Sequence, residues 1–169
     1  MHQFGGKVAI VTGGGAGIGR ATCLRFANAG AAVVVAEVNE ETGLQTAADI
    51  VEAGGKSMFV QTDVSDESSV VSMVDAVTSA LGRIDILVNN ARAIIGRDKV
   101  PVTRLDQDVW DHFIAINTTA VFLCTKLVGQ EMVRQGTGGR IINIASNAGK
   151  QASAMGAAYS ASKAGVHGF

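Results

Sequence analysis

Short apolar runs alternate with stretches of helical period along the whole chain, and this alternation leaves few possible folds. Five apolar runs are predicted as β-strands, at residues 7–12, 31–37, 56–62, 84–89 and 140–145. The runs are apolar almost throughout, which is typical of strands that are covered on both faces. Strands that alternate with helices form parallel sheets through right-handed crossovers. We therefore predict an α/β fold with a doubly wound parallel sheet in the strand order 3-2-1-4-5.

Capping residues and glycines mark the helices between these strands. We predict helices over residues 18–28, from Asn39 to 53, from Asp66 to 81, over 106–134 and from 157 onward. Asn and Asp side chains cap helix starts, and glycine often ends a helix. Glycines stand near the predicted ends, at Gly30, Gly54, Gly55, Gly82, Gly138 and Gly139. A chain of 169 residues has about the length of one domain, so residues 1–169 are predicted to form a single domain.

Composition excludes several classes of protein. Hydrophobic residues make up 47 % of the chain and charged residues 17 %, which excludes a disordered chain. The net charge is −1, so there is no basic excess to bind nucleic acid. No apolar run reaches the ~18 residues of a membrane span, and we expect no signal peptide. The lone Cys23 and Cys124 favour a reduced, cytoplasmic protein. His2, His112 and His167 lack metal-ligand spacing, so no metal site is expected.

A glycine-rich turn lies between the first predicted strand and the first predicted helix. It reads T-G-x-x-x-G-x-G, with glycines at Gly13, Gly17 and Gly19 and with Ile18 between the last two. Glycines let the backbone turn tightly and let a pyrophosphate approach, and the helix start offers free N–H groups to that anion. An ordinary strand-to-helix turn is the alternative. The placement of the glycine-rich turn directly between a strand and a helix favours dinucleotide binding by a Rossmann-type sheet.

Glu37 ends the second predicted strand, 18 residues after Gly19. A carboxylate at this point of a dinucleotide-binding sheet holds the ribose hydroxyls. It also repels a 2′-phosphate, so the sequence predicts NAD rather than NADP. A solvated strand end is the alternative interpretation of Glu37. Arg20 is the nearby residue that would argue for NADP, and we interpret it as a surface residue of the helix.

The single tyrosine, Tyr159, has a lysine four residues later, at Lys163. Positions i and i+4 share a face of a helix. A lysine ammonium there stabilises a tyrosinate and lowers a phenol pKa that starts near 10. The pair therefore predicts a general acid/base group that works near neutral pH. A pair of exposed residues on a surface helix is the alternative.

Taken together, these motifs resemble the short-chain dehydrogenase/reductase family in its single-domain form. The resemblance covers essentially the whole chain. The motifs that carry it, in order, are Thr12-Gly13-x-x-x-Gly17-x-Gly19, Asp63-Val64, Asn89-Asn90-Ala91, Asn117, Ser146 and Tyr159-x-x-x-Lys163.

The resemblance implies a catalytic role for four residues. Ser146 would hydrogen-bond the substrate oxygen, and Tyr159 would be the general acid/base. Lys163 would bind the nicotinamide ribose and tune the tyrosine. Asn117 would hold a water in the proton relay.

The resemblance also implies a cofactor site. Asp63 would lie at the adenine amino group with the backbone of Val64 beside it, and Asn90 and Ala91 would line the cofactor. The full set of expected cofactor-binding residues is Gly13, Gly17, Ile18, Gly19, Glu37, Asp63, Val64, Asn90, Ala91, Tyr159 and Lys163.

The chain departs from the family pattern in two places. Arg92 follows Asn89-Asn90-Ala91 where the family usually has glycine, and this arginine would crowd the nicotinamide side, point to solvent or face an anionic substrate group. Family members also continue with further strands and helices beyond Lys163, so we interpret the chain as truncated and expect the sheet to end in an open fifth strand.

The prediction is an NAD-dependent oxidoreductase that transfers a hydride between nicotinamide and a secondary alcohol or ketone. The alternative is an NAD-binding fragment or pseudo-enzyme with a sensing or scaffolding role. The resemblance further implies a homo-oligomer that pairs through the long helix and the last helix. The substrate depends on the loops at 92–104 and 147–155 and on residues beyond 169, and nothing in the sequence ranks the candidates.

Overall fold

A computed structural model of the protein describes residues 3–93, 96–151 and 154–169, so His2 and parts of the two predicted substrate loops lie outside the described residues. Five parallel strands form one sheet in the order β3-β2-β1-β4-β5. They are β1 (Val8–Thr12), β2 (Ala32–Glu37), β3 (Lys56–Gln61), β4 (Ile86–Asn89) and β5 (Arg140–Asn143). The predicted fold class and strand order are therefore confirmed.

The helices occupy the predicted places between the strands. They are α1 (Gly17–Asn28), α2 (Glu40–Glu52), α3 (Glu67–Leu81), α4 (Gln107–Ile114), α5 (Ala120–Gln135) and α6 (Ala157–Gly168). Helices α4 and α5 are continuous through a π-helical stretch, Ala115–Thr119. Two short 3₁₀ turns, Val102–Arg104 and Asn147–Gly149, lie in the loops before α4 and α6.

The predicted caps form as expected. The Asn39 side chain accepts a hydrogen bond from the backbone N–H of Thr42, and the Asp66 side chain accepts one from Ser68. These bonds satisfy N–H groups that have no partner inside the helix. Helix α5 ends at Gln135, one residue beyond the predicted end at 134. The glycine that ends it is Gly136, which takes a left-handed conformation with φ of 69°, rather than the predicted Gly138 and Gly139.

Strand β4 begins two residues later than predicted, and a side chain explains the difference. The amide of Gln135 donates to the carbonyl of Ile84 and accepts from its N–H, at 2.9 and 2.6 Å. The side chain of Gln135 thus occupies both backbone groups of Ile84 that a neighbouring strand would have used. Pairing in the sheet starts only at Ile86, opposite Ala9 of β1 and Arg140 of β5.

Apolar clusters cover both faces of the central strands. One face packs against α3 and α5 around Ile10 and Leu87, and the other packs against α1 and α2 around Val11 and Val33. Strands β1 and β4 are buried along their whole length, as predicted, whereas the edge strands β3 and β5 are partly exposed. Ile142 of the edge strand β5 is 43 % exposed.

Helices α4 and α5 and their π-helical link, Gln107–Gln135, are long and apolar enough to cross a membrane by length and composition alone. No uninterrupted apolar run marks this stretch in the sequence, because charged and polar residues divide it. In the fold, Val121, Cys124 and Val128 on this stretch are buried, which also accounts for its apolar composition. Cys23 and Cys124 are free, and burial raises the pKa of both thiols to about 12.

Candidate cofactor site and active site

The predicted site residues gather at the carboxyl ends of β1 and β4, which are adjacent in the sheet although not consecutive in sequence. At such a point the crossovers leave the sheet in opposite directions and open a crevice. The hydroxyl of Thr12 donates to the carbonyl of Val88 and accepts from the N–H groups of Asn90 and Ala91. The last residue of β1 therefore holds the segment that follows β4.

The glycine turn is built from contacts that exclude side chains. Gly13 and Gly17 have φ of 64° and 51°, a conformation that favours glycine. A Cβ on Gly19 would overlap the carbonyl oxygen of Gly13. The amide of Asn90 donates to that same carbonyl and to the carbonyl of Thr12. Asn90 thus supports the turn with its side chain, a role that the sequence did not specify.

The start of α1 suits an anion. Its N-cap residue, Ala16, provides no side-chain hydrogen bond, and the first turn has no acidic residue. A Cβ on Gly17 would meet no atom within 4 Å, so the space above the turn is open, and Ile18 is 67 % exposed beside it. The first N–H groups of a helix lack internal partners and carry partial positive charge. The residues present therefore fit the pyrophosphate of a dinucleotide.

Glu37 ends β2 beside the glycine turn, as predicted. One carboxylate oxygen accepts a hydrogen bond from the N–H of Gly15 at 3.0 Å, and the other accepts from Val38 and Asn39. These bonds fix the carboxylate against the turn, so Glu37 is not merely a solvated strand end. Arg20 forms an ion pair with Asp49 of α2, at 2.6 Å.

Asp63 and Val64 follow β3. The carboxylate of Asp63 accepts hydrogen bonds from the N–H and hydroxyl of Ser65, and the residue is exposed. The side chain of Val64 is buried in the core, so only its backbone remains for a ligand. Both residues lie at the carboxyl edge of the sheet, just after β3, which is the strand next to β2.

Asn117 lies in the π-helical stretch, where a regular helix was predicted. Such π-bulges interrupt the regular hydrogen bonds of a helix and often occur at functional sites. Asn117 is fully buried; it accepts a hydrogen bond from the N–H of Ala93 and donates one to the hydroxyl of Ser162, both at 2.9 Å. Ser162 in turn donates to the carbonyl of Tyr159. Asn117 thus joins the segment after β4 to helix α6.

Tyr159 and Lys163 lie one turn apart on α6. Lys163 is only 3 % exposed, and its ammonium donates to the carbonyl of Ile144 at 2.8 Å, just beyond β5. Burial lowers the pKa of Lys163, and the positive charge of Arg92 lowers it further. The ring of Tyr159 is half-buried and contacts Phe113 edge-on. The alternative of an exposed surface pair is therefore wrong.

Ser146 follows β5 and begins the turn Asn147–Gly149. Its hydroxyl accepts a hydrogen bond from the N–H of Ala148, and its carbonyl lies 2.9 Å from Nε2 of His167 on α6. A Cβ on Gly149 would lie 2.6 Å from the backbone of Lys163 and Ala164. The turn therefore packs closely against α6. This packing places the segment with Ser146 next to the helix that carries Tyr159 and Lys163.

Sequence reasoning missed three residues of this region. Thr12 belongs to the glycine motif, which gives no sign of its hydrogen bonds to the segment after β4, and Ser162 belongs to no motif although it is three residues after Tyr159 on the same helix. Asp98 is 1 % exposed, and its Oδ2 has no hydrogen-bond partner among the described residues, while its carbonyl accepts from the N–H of Gly156 before α6. In the sequence, Asp98 is the only acid among residues 92–104, and it stands between Arg97 and Lys99. Across the described ranges, no group of His, Cys, Asp or Glu is arranged to hold a metal.

A sequence profile of the short chain dehydrogenases matches residues 7–169. The chain belongs to the short-chain dehydrogenase family. Within this family, a short chain dehydrogenase/reductase of Aspergillus oryzae is 48 % identical over 165 residues, which are 97 % of this chain and 62 % of the relative. This chain thus spans about three fifths of the length of that short-chain dehydrogenase.

Two solved structures are similar to almost the whole of this chain. An NAD⁺-bound xylitol dehydrogenase has a TM-score of 0.90 and 36 % identity, over 97 % of this chain and 62 % of its own. A 7α-hydroxysteroid dehydrogenase with NADH and 7-oxo glycochenodeoxycholic acid has a TM-score of 0.90 and 34 % identity, over 98 % of this chain and 63 % of its own. A nicotinamide cofactor is therefore found bound to close structural neighbours.

Proposed function

We propose that the protein is an NAD(H)-dependent oxidoreductase that interconverts a secondary alcohol and a ketone, with Tyr159 as general acid/base. One observation carries this proposal: the buried ammonium of Lys163 is fixed on the same face of α6 as Tyr159, next to the segment with Ser146. A buried charge needs a reason, because removing an ammonium from water is costly. Binding a ribose beside Tyr159 is such a reason.

The chain's own residues fit the cofactor in three places. The glycine turn and the start of α1 would bind the pyrophosphate, Glu37 would accept hydrogen bonds from the adenosine ribose, and Asp63 would face the adenine. When bound, the nicotinamide would supply or accept the hydride. The NAD(H)-containing neighbours support this assignment.

Tyr159 would exchange the hydroxyl proton of the substrate. Lys163, one turn further along α6, would bind the nicotinamide ribose beside this tyrosine. The hydroxyl of Ser146 would donate to the substrate oxygen and stabilise the charge that develops there. Asn117 orders the segment after β4 against α6 and would place the proton relay beside Lys163.

Glu37 supports a preference for NAD over NADP. Its carboxylate lies against the glycine turn, where a 2′-phosphate would meet its negative charge. Arg20, which would have favoured NADP, is paired with Asp49 and so is not free to bind the phosphate. Both features point to the same cofactor.

A homo-oligomer in the cytoplasm with a small-molecule substrate remains part of the proposal. Ala161 and Ala164 are exposed on α6, so this face offers small residues for the close approach of a second helix, whereas Ala158 is buried and unavailable. Sedimentation at micromolar concentration tests the assembly, and a purely monomeric species would contradict it.

Replacing Tyr159 by Phe tests the proposed function. NADH binding, followed by cofactor fluorescence, is expected to stay within about twofold, because the phenyl ring is retained. Oxidation of alcohols such as xylitol or a 7α-hydroxysteroid, the classes named for the two structural neighbours, is expected to fall by about 10²–10⁴-fold, the usual contribution of a general acid/base. Ser160→Ala on the same helix is the control.

Two results would contradict the proposal. Unchanged turnover in Tyr159→Phe would exclude this tyrosine as the general acid/base. Saturable NADH binding by the unmodified protein without turnover of any alcohol would instead favour the alternative of a nucleotide-binding protein that senses or scaffolds.

A further inference from the structure

Both neighbours of Arg92 in the chain are hydrogen-bonded at the carboxyl edge of the sheet. The N–H of Ala91, before it, donates to the hydroxyl of Thr12 at 3.1 Å, and the N–H of Ala93, after it, donates to Asn117 at 2.9 Å. One neighbour is therefore tied to the start of the glycine turn and the other to the Asn117 network. These two hydrogen bonds place Arg92 between the glycine turn of the cofactor crevice and the Asn117 network that leads to α6.

The side chain of Arg92 is exposed and forms no hydrogen bond or ion pair with any described residue. Four other arginines are paired with carboxylates, namely Arg20, Arg83, Arg97 and Arg134. The guanidinium of Arg92 is nevertheless near Lys163. Burial is the larger cause of the lowered pKa of the Lys163 ammonium, and the charge of Arg92 lowers that pKa further. Two positive charges thus act on the same side of the crevice.

The acids of the site lie elsewhere. Glu37 and Asp63 belong to the carboxyl ends of β2 and β3, on the other side of β1 from Arg92. Asp98 is in the same loop but buried, so its carboxylate is not presented to the crevice. The cation of Arg92 therefore has no charged partner of its own chain in the described part of this region.

We propose that Arg92 is a specificity-determining residue that binds a carboxylate of the substrate. The substrate class would then be hydroxy acids and their oxo-acid products, an inference that rests on the proposed function. The planar guanidinium forms two parallel hydrogen bonds with a carboxylate, and this geometry suits a single exposed arginine.

The phosphates of the cofactor are the other possible source of an anion for Arg92. The open space above Gly17 and the uncapped start of α1 already suit the pyrophosphate, and α1 follows β1 and packs against β2. Arg92 follows β4, on the opposite side of β1. The substrate side of the crevice is therefore the better assignment.

Titration calorimetry with two matched probes tests this assignment. Cyclohexanecarboxylate carries the anion and cyclohexanecarboxamide is its neutral isostere; each is titrated with and without saturating NADH. We expect the carboxylate to bind at least tenfold more tightly to the unmodified protein. Arg92→Gly, which introduces the family's usual residue, is expected to abolish this preference, while Arg92→Lys keeps part of it. Arg104→Gln, an exposed arginine of the same loop, is the control and is expected to keep all of it.

Three outcomes would overturn the inference: equal binding or no binding of the two probes by the unmodified protein, an unchanged preference in Arg92→Gly, or a loss of NADH affinity in Arg92→Gly with the preference intact. The last result would assign Arg92 to the cofactor. A carboxylate preference that depends on Arg92 in a protein that binds no NADH would uphold the anion site and refute the proposed function, so the two failures are distinguishable.

Discussion

The side-chain amide of Asn117 donates to the hydroxyl of Ser162 at 2.9 Å, and both residues are fully buried. Asn117 also accepts from the N–H of Ala93, and Ser162 donates to the carbonyl of Tyr159. One buried chain of hydrogen bonds thus runs from the segment after β4 to helix α6. Buried networks of this kind stabilise a structure when every member is satisfied and are costly when one is removed.

Ser162→Ala is expected to destabilise the protein by about 1–3 kcal/mol, the cost of leaving a buried donor without its partner. Asn117 would keep its bond to Ala93 but lose the acceptor for its own amide. Urea unfolding followed by circular dichroism measures the change in the free energy of unfolding. Ser72→Ala, on the exposed face of α3, is the control and is expected to change it by less than about 0.5 kcal/mol. Equal effects of both substitutions would show that the network contributes nothing.

Glu37→Gln is expected to weaken NADH binding by about tenfold, because a hydrogen bond to a charged acceptor is stronger than one to a neutral acceptor. The same change removes the repulsion of a 2′-phosphate, so NADPH binding is expected to strengthen. Parallel fluorescence titrations measure both dissociation constants. Glu40→Gln, exposed in the first turn of α2, is the control. If the ratio of the two constants were the same in Glu37→Gln and in the unmodified protein, Glu37 would not select the cofactor.

Gly19→Ala and Gly129→Ala are expected to have opposite effects. A Cβ on Gly19 would overlap the carbonyl of Gly13, so the glycine turn must shift, at a cost of about 1–3 kcal/mol and with loss of NADH affinity. A Cβ on Gly129, within α5, would meet nothing within 4 Å. This second change is expected to stabilise the helix by about 0.5–1 kcal/mol. Thermal unfolding and NADH titration of both variants decide the matter, and normal NADH affinity in Gly19→Ala would contradict the assigned role.

Asp85 supports the sheet at the edge opposite the site and makes stability depend on pH. Burial raises the pKa of this carboxyl, but hydrogen bonds from Arg83, the N–H of Val8 and Lys7 outweigh burial and lower the pKa to about 2. A pKa below the ordinary 3.8 stabilises the folded state above about pH 4, and this contribution is lost as the pH falls towards 2.

Asp85→Asn is therefore expected to cost about 2 kcal/mol of stability at pH 7, as the size of the pKa change implies. The difference from the unmodified protein should shrink as the pH falls from 4 to 2. Urea unfolding across this range measures it, with Asp75→Asn on the exposed face of α3 as control. A difference that stayed constant with pH would mean that the ionised form of Asp85 is not the stabilising one.

Much of the fold could be predicted because its signals are local. The caps at Asn39 and Asp66 depend on residues two or three positions away, and strand order followed from the alternation of strands and helices. The errors fall where a distant residue intervenes. Gln135 takes the hydrogen bonds of Ile84 from 51 positions away, and no periodicity reveals such a bond.

The candidate site shows the same division. Glu37 was predicted from its distance to the glycine turn, whereas the N–H of Gly15 that holds it was not. Helical spacing pairs Tyr159 with Lys163 but is equally consistent with an exposed pair, and only the burial of Lys163 in the fold decides between the two. Spacing along one helix states which side chains share a face; it does not state which element covers that face.

By itself, the sequence determined the order of the elements, the glycine turn, the residue types at the site and the family, because these depend on periodicity and short spacings. Only the tertiary structure decided that Asn117 lies in a π-helical stretch bonded to Ser162, that Lys163 is buried against Ile144, and that the exposed Arg92 has no hydrogen-bond or ion-pair partner among the described residues. These relationships join residues on different elements, 45 positions apart for Asn117 and Ser162. Their geometry is set by how the elements pack, and packing depends on the whole core rather than on any local pattern.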